Sequence, residues 1–242
     1  MSSRGRGLGR QQIACAHMTT LEPDAVSWVV VMPVKRLGAA KSRLAQLAGT
    51  RRSDLALAMV VDTISAARAA TGVRAVWVVT DDDDVAAAAL AHDADVLPDG
   101  PAAGLNAAFS VGIDAVGTQD PGSGAVLLAG DLPALRPAQL EAVLAVATGL
   151  VGMVTVADRA GTGTTLLAAR TPTALRPAFG PDSFARHQAL GATAVDLPGL
   201  DGLRCDVDDT DDLREAVRLG IGAATATALQ DLGLEVVSEN GR

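Results

Sequence analysis

Aromatic side chains are almost missing from this chain of 242 residues, which has three Phe, two Trp and no Tyr. Such a sequence offers no rows of aromatic platforms on which single-stranded nucleic acids stack. Its interior must be built from Ala, Val and Leu. Cysteine is equally sparse. Cys15 and Cys205 lie far apart, with no C-x-x-C pair and no Cys/His cluster. That argues against a zinc site and for unpaired thiols in a reducing, cytoplasmic setting. Long apolar runs are absent as well. Runs such as that around 29–32 are strand-sized, against the roughly 18–20 residues needed to cross a bilayer, so no membrane partner is expected. Positive charge is in deficit. A net charge of −8 disfavours a general nucleic-acid binder, which spreads Lys and Arg over a whole face. Any anion site must be a local island.

What the chain does have is a hydrophobic content of 49%, enough for a sizeable core. Residues 1–26 are polar, rich in Gly and Arg, and lack the apolar stretch of a signal peptide. They read as a disordered extension, with Met18 an alternative start. Beyond it, strand-like and helix-like segments alternate. Strands are expected over 27–33, 73–80, 94–97 and 124–129, and helices over 53–70, 104–116 and 137–147. Ser53 is the candidate cap of the first helix. The acidic run Asp81 to Asp84 either caps a helix reaching His92 or binds a metal. This β-α-β order is the signature of a parallel sheet wrapped by helices. Right-handed crossovers then gather the loops at the strands' carboxyl ends, on the rim where ligands bind. Past 150 the pattern changes. Segments 151–157 and 164–170, joined by "DRAGTG", read as a hairpin, so the sheet is mixed. A helix starts after Gly180, a short strand lies near Ala194, and a helix over 210–219 closes the pattern. A single domain over 27–232 and a tail over 233–242 are expected, with no linker between domains.

Four stretches carry chemistry. "WVVVMPVKRLGAAKSRLAQL" hands a buried strand over to Lys35, Arg36, Lys41 and Arg43. It matches neither the dinucleotide fingerprint nor the P-loop. Backbone N–H groups near Gly38 and the clustered cations nevertheless suit a phosphate; plain solvated surface is the alternative. "LLAGDLPAL" delivers Asp131 to the rim at the end of a buried strand. A carboxylate there can hold Mg2+, whose other ligands are phosphate oxygens and water, or it can cap the next helix. Together these stretches suit nucleoside triphosphate chemistry. In "CDVDDTDDL", Asp206 and Asp208 alternate and so face one side. One of them can be a second metal ligand, while Asp209 or Thr210 caps the closing helix. "GTGTT" and "FGPDSFARH" offer close backbone approach at Gly161 and Gly163, hydroxyls at Thr164, Thr165 and Ser183, and a turn at Gly180 and Pro181. That suits a small carboxylate or phosphate, a second substrate. Arg186 and His187 read first as helix-surface residues. No general base is required of His187, because a substrate phosphate already carries its nucleophilic oxygen.

In this order, "MPVKRLGAAKSRL", "GDLPAL", "GTGTT", "FGPDSFARH" and "LRCDVDDTDDL" resemble the CofC/FbiD family, the guanylyltransferases of deazaflavin coenzyme F-420 biosynthesis. The resemblance spans nearly the whole expected domain. It implies an α/β, Rossmann-like nucleotidyltransferase fold of the GT-A type, a single domain with a mostly parallel mixed sheet flanked by helices. It implies GTP and Mg2+, and a phosphorylated three-carbon acid that is phosphoenolpyruvate in one branch and 2-phospho-L-lactate in another. By motif position, Thr165, Gly180 and Ser183 contact the acid, and Asp131 and Asp206 hold metal. Lys35, Lys41 and Arg43 serve the nucleotide and the chemistry, with Gly104 and Asn106 near the nucleotide as well. "DVDDTDDL" carries an additional Asp and no Pro against the family's usual pattern. The choice of metal ligand among Asp206, Asp208 and Asp209 therefore stays open. The Ala- and Arg-rich composition resembles the actinobacterial branch, for which the resemblance implies phosphoenolpyruvate. Two rivals remain at this point: a transferase with a sugar- or pterin-phosphate acceptor, and a nucleotide-sensing module without turnover. A homodimer is left open.

Overall fold

The run WVVVMP is apolar on both sides of its pleat, and both sides are covered. In the computed structural model, which describes residues 26–37, 51–100 and 104–234, it forms β1 (Trp28–Pro33) within a seven-stranded sheet. Then come α1 (Arg52–Ala69), β2 (Val73–Val79), α2 (Asp83–Ala91), β3 (Asp95–Leu97), α3 (Leu105–Gln119), β4 (Gly124–Leu128) and α4 (Pro137–Gly149). The second half adds β5 (Met153–Ala157), β6 (Thr164–Ala169), a 3-10 turn (Pro172–Ala174), α5 (Ser183–Ala189), β7 (Thr193–Ala194), α6 (Thr210–Leu219) and α7 (Ala223–Asp231). The spatial order is β3-β2-β1-β4-β6-β5-β7. The neighbours from β3 to β4 are parallel. β6 runs antiparallel to both β4 and β5, as the hairpin reading expects.

Alternation along β1 sends Val30 and Met32 to one apolar cluster and Val29 and Val31 to another. The first cluster also takes Leu55, Met59 and Ile64 of α1 and Leu140, Val143 and Leu144 of α4. The second takes Phe109, Ile113 and Val116 of α3. Burying each such side chain is worth about 1.5–3 kcal/mol, so β1 contributes to the core from both faces. α3 lies close to the sheet because Gly112 faces Val31, where a Cβ would collide with the valine methyls.

Several boundaries differ from expectation. α1 begins at Arg52, with Arg51 rather than Ser53 in the capping position and no side-chain cap bond. Arg51 instead donates to the Asp231 carbonyl at 2.8 Å, tying α1 to α7. α7 itself is unforeseen. Its first turn donates to the Asp62 carboxylate, from Ala224 N at 3.0 Å and Thr225 N at 2.8 Å. Asp62 is only 8% exposed, and an Asp on the apolar face of α1 was the available signal. Among the described residues, no helix is long and apolar enough to cross a membrane. Cys205 is free and buried, and burial pushes its thiol up to about 11. Cys15, the polar extension before 26 and the tail beyond 234 lie outside the described residues.

Candidate active site

β1 pairs with β2 on one side and β4 on the other. The connections therefore leave in opposite directions, and a crevice opens beyond the carboxyl ends of these strands. A cleft of about 540 Å³ occupies it. β1 ends there with Pro33, Val34 and Lys35, all on the cleft wall. Val34 N donates to the Val79 carbonyl at 2.9 Å. Leu37 N donates to the Asp82 carboxylate at 2.9 Å. Asp82 also caps α2 by accepting from Asp84 N and Val85 N. The acidic run thus does cap its helix, and it latches the start of the basic loop as well. Lys35 is exposed and faces the cleft. Lys41 and Arg43 lie outside the described residues.

β4 delivers Ala129, Gly130 and Asp131 to the same cleft. The segment is pinned by Leu132 N, which donates at 3.0 Å to the buried Thr63 hydroxyl of α1. Val207 N donates to the Asp131 carbonyl at 3.1 Å, bringing Asp206 beside it. Burial, then the neighbouring Asp131, Asp208 and Asp158, push the Asp206 carboxyl up to about 7. Asp209 is otherwise engaged: its side chain accepts from Asp211 N at 2.9 Å and Asp212 N at 3.1 Å, capping α6. The alternating pair therefore presents Asp206 and Asp208, not Asp209, to the cleft. Among the described residues, no group of three or more acidic, His or Cys side chains is disposed to hold a metal unaided. A pair of mutually repelling carboxylates fits Mg2+, which takes one or two protein carboxylates and completes its shell with water and substrate phosphate.

The opposite wall comes from the second half of the sheet. Because β6 is reversed, its first residues sit on the rim made by the ends of β4 and β5. Asp158, at the end of β5, shapes the hairpin turn by accepting from Thr162 N at 2.9 Å and Gly163 N at 2.8 Å. Thr164 lines the cleft. Thr165 does not: it is fully buried, and among the described residues its hydroxyl has no partner. Successive strand residues face opposite sides, so only one of the two threonines can face the cleft, and it is Thr164.

Segment 178–183 completes this wall with Gly180, Pro181, Asp182 and Ser183. It is held from several directions. Asn106 of α3 donates to the Phe179 carbonyl at 3.1 Å and accepts from Phe179 N at 2.7 Å. Its amide thus holds this segment, and Leu105, rather than Gly104 or Asn106, is the residue of that turn on the cleft wall. Phe179 stacks on Phe109 with ring centroids 4.3 Å apart. Arg186 donates to the carbonyls of Ala178 and Pro181. His187, expected on a helix surface, is fully buried. Its Nε2 accepts from Ala178 N at 2.9 Å, and its Nδ1 lies 2.9 Å from the Thr164 hydroxyl.

Two predictions arise here. Gly180 has φ +119°, a region that costs a β-branched residue of order 1–3 kcal/mol. Gly180→Val should raise the KM of the small acid by roughly tenfold and leave that of the nucleotide little changed; steady-state kinetics in both substrates checks it. The second concerns pH. Burial first, and the Arg186 charge second, lower His187 from 6.5 to about 4. As pH falls below 6.5 the unfolded chain takes up a proton that the folded chain refuses until about 4. Stability is lost across that window, by about 3 kcal/mol. His187→Gln should flatten this loss, read as a smaller drop in urea midpoint between pH 7 and pH 4.5 than in the wild type.

Residues 28–242 match the family described as guanylyl transferase CofC like. The chain belongs to this family. It is 47% identical over 201 residues to the phosphoenolpyruvate guanylyltransferase of Thermomonospora curvata, covering 83% of this chain and 88% of that protein. It is 48% identical over 208 residues to the phosphoenolpyruvate guanylyltransferase of Streptomyces scabiei, covering 84% and 96%. Among solved structures, a nucleotidyl transferase from Methanothermobacter superposes with TM-score 0.52 at 20% identity, over 78% of this chain and 94% of that one. A Mycobacterium tuberculosis protein in complex with manganese superposes with TM-score 0.50 at 22% identity, over 79% and 98%. These structures share the fold, and the expected nucleotidyltransferase architecture is the one observed.

Proposed function

We propose that the chain transfers GMP from GTP to phosphoenolpyruvate, giving enolpyruvyl-diphospho-guanosine and pyrophosphate. The observation that carries this reading is one cleft with two unlike walls. Lys35, Asp131 and Asp206 stand on one, and Thr164, Gly180 and Ser183 on the other. The relatives that share nearly half their residues with this chain over most of its length are phosphoenolpyruvate guanylyltransferases. A phosphate oxygen of the acid attacks the α-phosphorus of GTP, the bond to the bridging oxygen of the β-phosphate breaks, and pyrophosphate leaves. The protein's work is positioning and charge. Lys35 attracts the triphosphate, with Lys41 and Arg43 proposed to join it. Asp131 and Asp206 would hold Mg2+. A bound Mg2+ would neutralise phosphate charge that these carboxylates otherwise repel. Backbone at Gly180 and the hydroxyls of Thr164 and Ser183 orient the acid.

The test offers GTP, ATP and CTP in combination with phosphoenolpyruvate, 2-phospho-L-lactate and a sugar phosphate, and measures pyrophosphate release. Release with GTP and phosphoenolpyruvate is expected. A preference for either of the other acceptors would overturn the substrate, and nucleotide binding without release from any pair would overturn catalysis.

A further inference from the structure

His187 belongs to neither substrate wall, yet it is fully buried and both its ring nitrogens are engaged. The backbone N–H of Ala178 can only donate, so Nε2 of His187 must be the bare acceptor. In a neutral imidazole the proton then sits on Nδ1, 2.9 Å from the Thr164 hydroxyl. Burial keeps the ring neutral at ordinary pH. Nδ1–H therefore donates to Thr164 Oγ1, and the threonine must turn its own proton elsewhere. Among the described residues this hydroxyl has no second hydrogen-bond partner, and Thr164 lines the cleft.

We infer that His187 is a positioning residue that locks the Thr164 hydroxyl as a donor toward an anionic oxygen of the acid substrate. The inference rests on the guanylyl-transfer reading for the name of that acid, not for the polarity of the contact. An unconstrained threonine can donate or accept. Here the imidazole fills an acceptor site of the oxygen and leaves its proton for a carboxylate or phosphate, a charge-assisted contact. The same ring holds Ala178 N–H, so it also sets the start of the segment that carries Gly180 and Ser183.

The experiment separates the two ring nitrogens. His187→Gln keeps an acceptor near the Nε2 position for Ala178 and loses the Nδ1 donor, whereas His187→Asn keeps a donor near the Nδ1 position. Thr164→Val removes the hydroxyl. KM for the acid, KM for GTP and kcat are measured for each, with thermal melts beside them. Thr164→Val should raise the acid KM roughly tenfold or more, with the GTP KM little changed. His187→Gln should raise it in the same direction, by roughly three- to tenfold, and His187→Asn should recover most of the wild-type value. The double variant His187→Gln with Thr164→Val should be no worse than Thr164→Val alone, because both act through one hydroxyl. An unchanged acid KM in His187→Gln, equal shifts for both substrates, or effects that multiply in the double variant would each overturn the inference. If His187→Asn does not fold, His187→Gln and the double variant decide alone. If the wild type turns over a different phosphorylated acid, the same variants are read with that acid. The substrate assignment then fails while the contact is still tested.

Discussion

Asp131→Asn should reduce pyrophosphate release by at least about a hundredfold in a protein that still folds. The substitution keeps the shape of the side chain and removes its charge. The backbone anchors of the segment do not depend on that charge: Leu132 N still reaches Thr63, and Val207 N still reaches the Asp131 carbonyl. Losing a partner outside the metal's own ligands already costs metal sites 10–100-fold, so removing a direct ligand should cost more. Circular dichroism and the melting temperature establish that the fold survives. Near-normal turnover in the folded variant would remove Asp131 from metal binding.

The second large effect has two signs. Asp206→Asn should also abolish turnover, yet it should stabilise the metal-free protein. Burial, Asp131, Asp208 and Asp158 raise the Asp206 carboxyl from 3.8 to about 7. A raised carboxyl favours the folded state fully below the unfolded value. That contribution is lost as pH rises toward 7, because the unfolded chain sheds its proton while the folded chain holds on. At pH 8 the folded protein carries the whole penalty, up to about 4 kcal/mol by the size of the shift. Asn at 206 removes it. Urea unfolding at pH 8 without divalent cation should therefore give a higher midpoint for Asp206→Asn than for the wild type. Millimolar Mg2+ or Mn2+ should close the gap by stabilising the wild type alone. A lower midpoint in the variant, or equal stabilisation of both proteins by cation, would contradict this account of the carboxylate pair.

Much of the architecture was legible because it rests on period and on backbone economy. Both faces of β1 are covered, so its sequence reads as an unbroken apolar run. β5 and β6 are joined by a turn whose Asp and Gly residues announce a hairpin. The helix over 210–219 was readable to the residue because Asp209 caps it and its polar and apolar sides are sharply divided. α7 was not legible, since its small residues carry little contrast and its anchor, Asp62, is distant in sequence. At the site, Lys35 and Asp131 after strand ends and Asp206 in its alternating acidic segment fall on one cleft. The choice between Thr164 and Thr165 could not be read from adjacent identical side chains, because it depends on which face of β6 meets the cleft. His187 was misplaced for a related reason. A helix as short as α5, packed on an aromatic pair, hides a residue that spacing alone leaves on the surface.

The several anchors of segment 178–183 bear on kinetic order. Asn106, Arg186 and His187 bond its backbone, and Phe109 stacks on its Phe179 ring, all of them groups of the chain itself. A receptor already assembled does not have to wait for its companion ligand. Entry of the acid need not follow entry of the triphosphate, so the initial-rate patterns should be those of a random-order ternary complex rather than of a compulsory sequence.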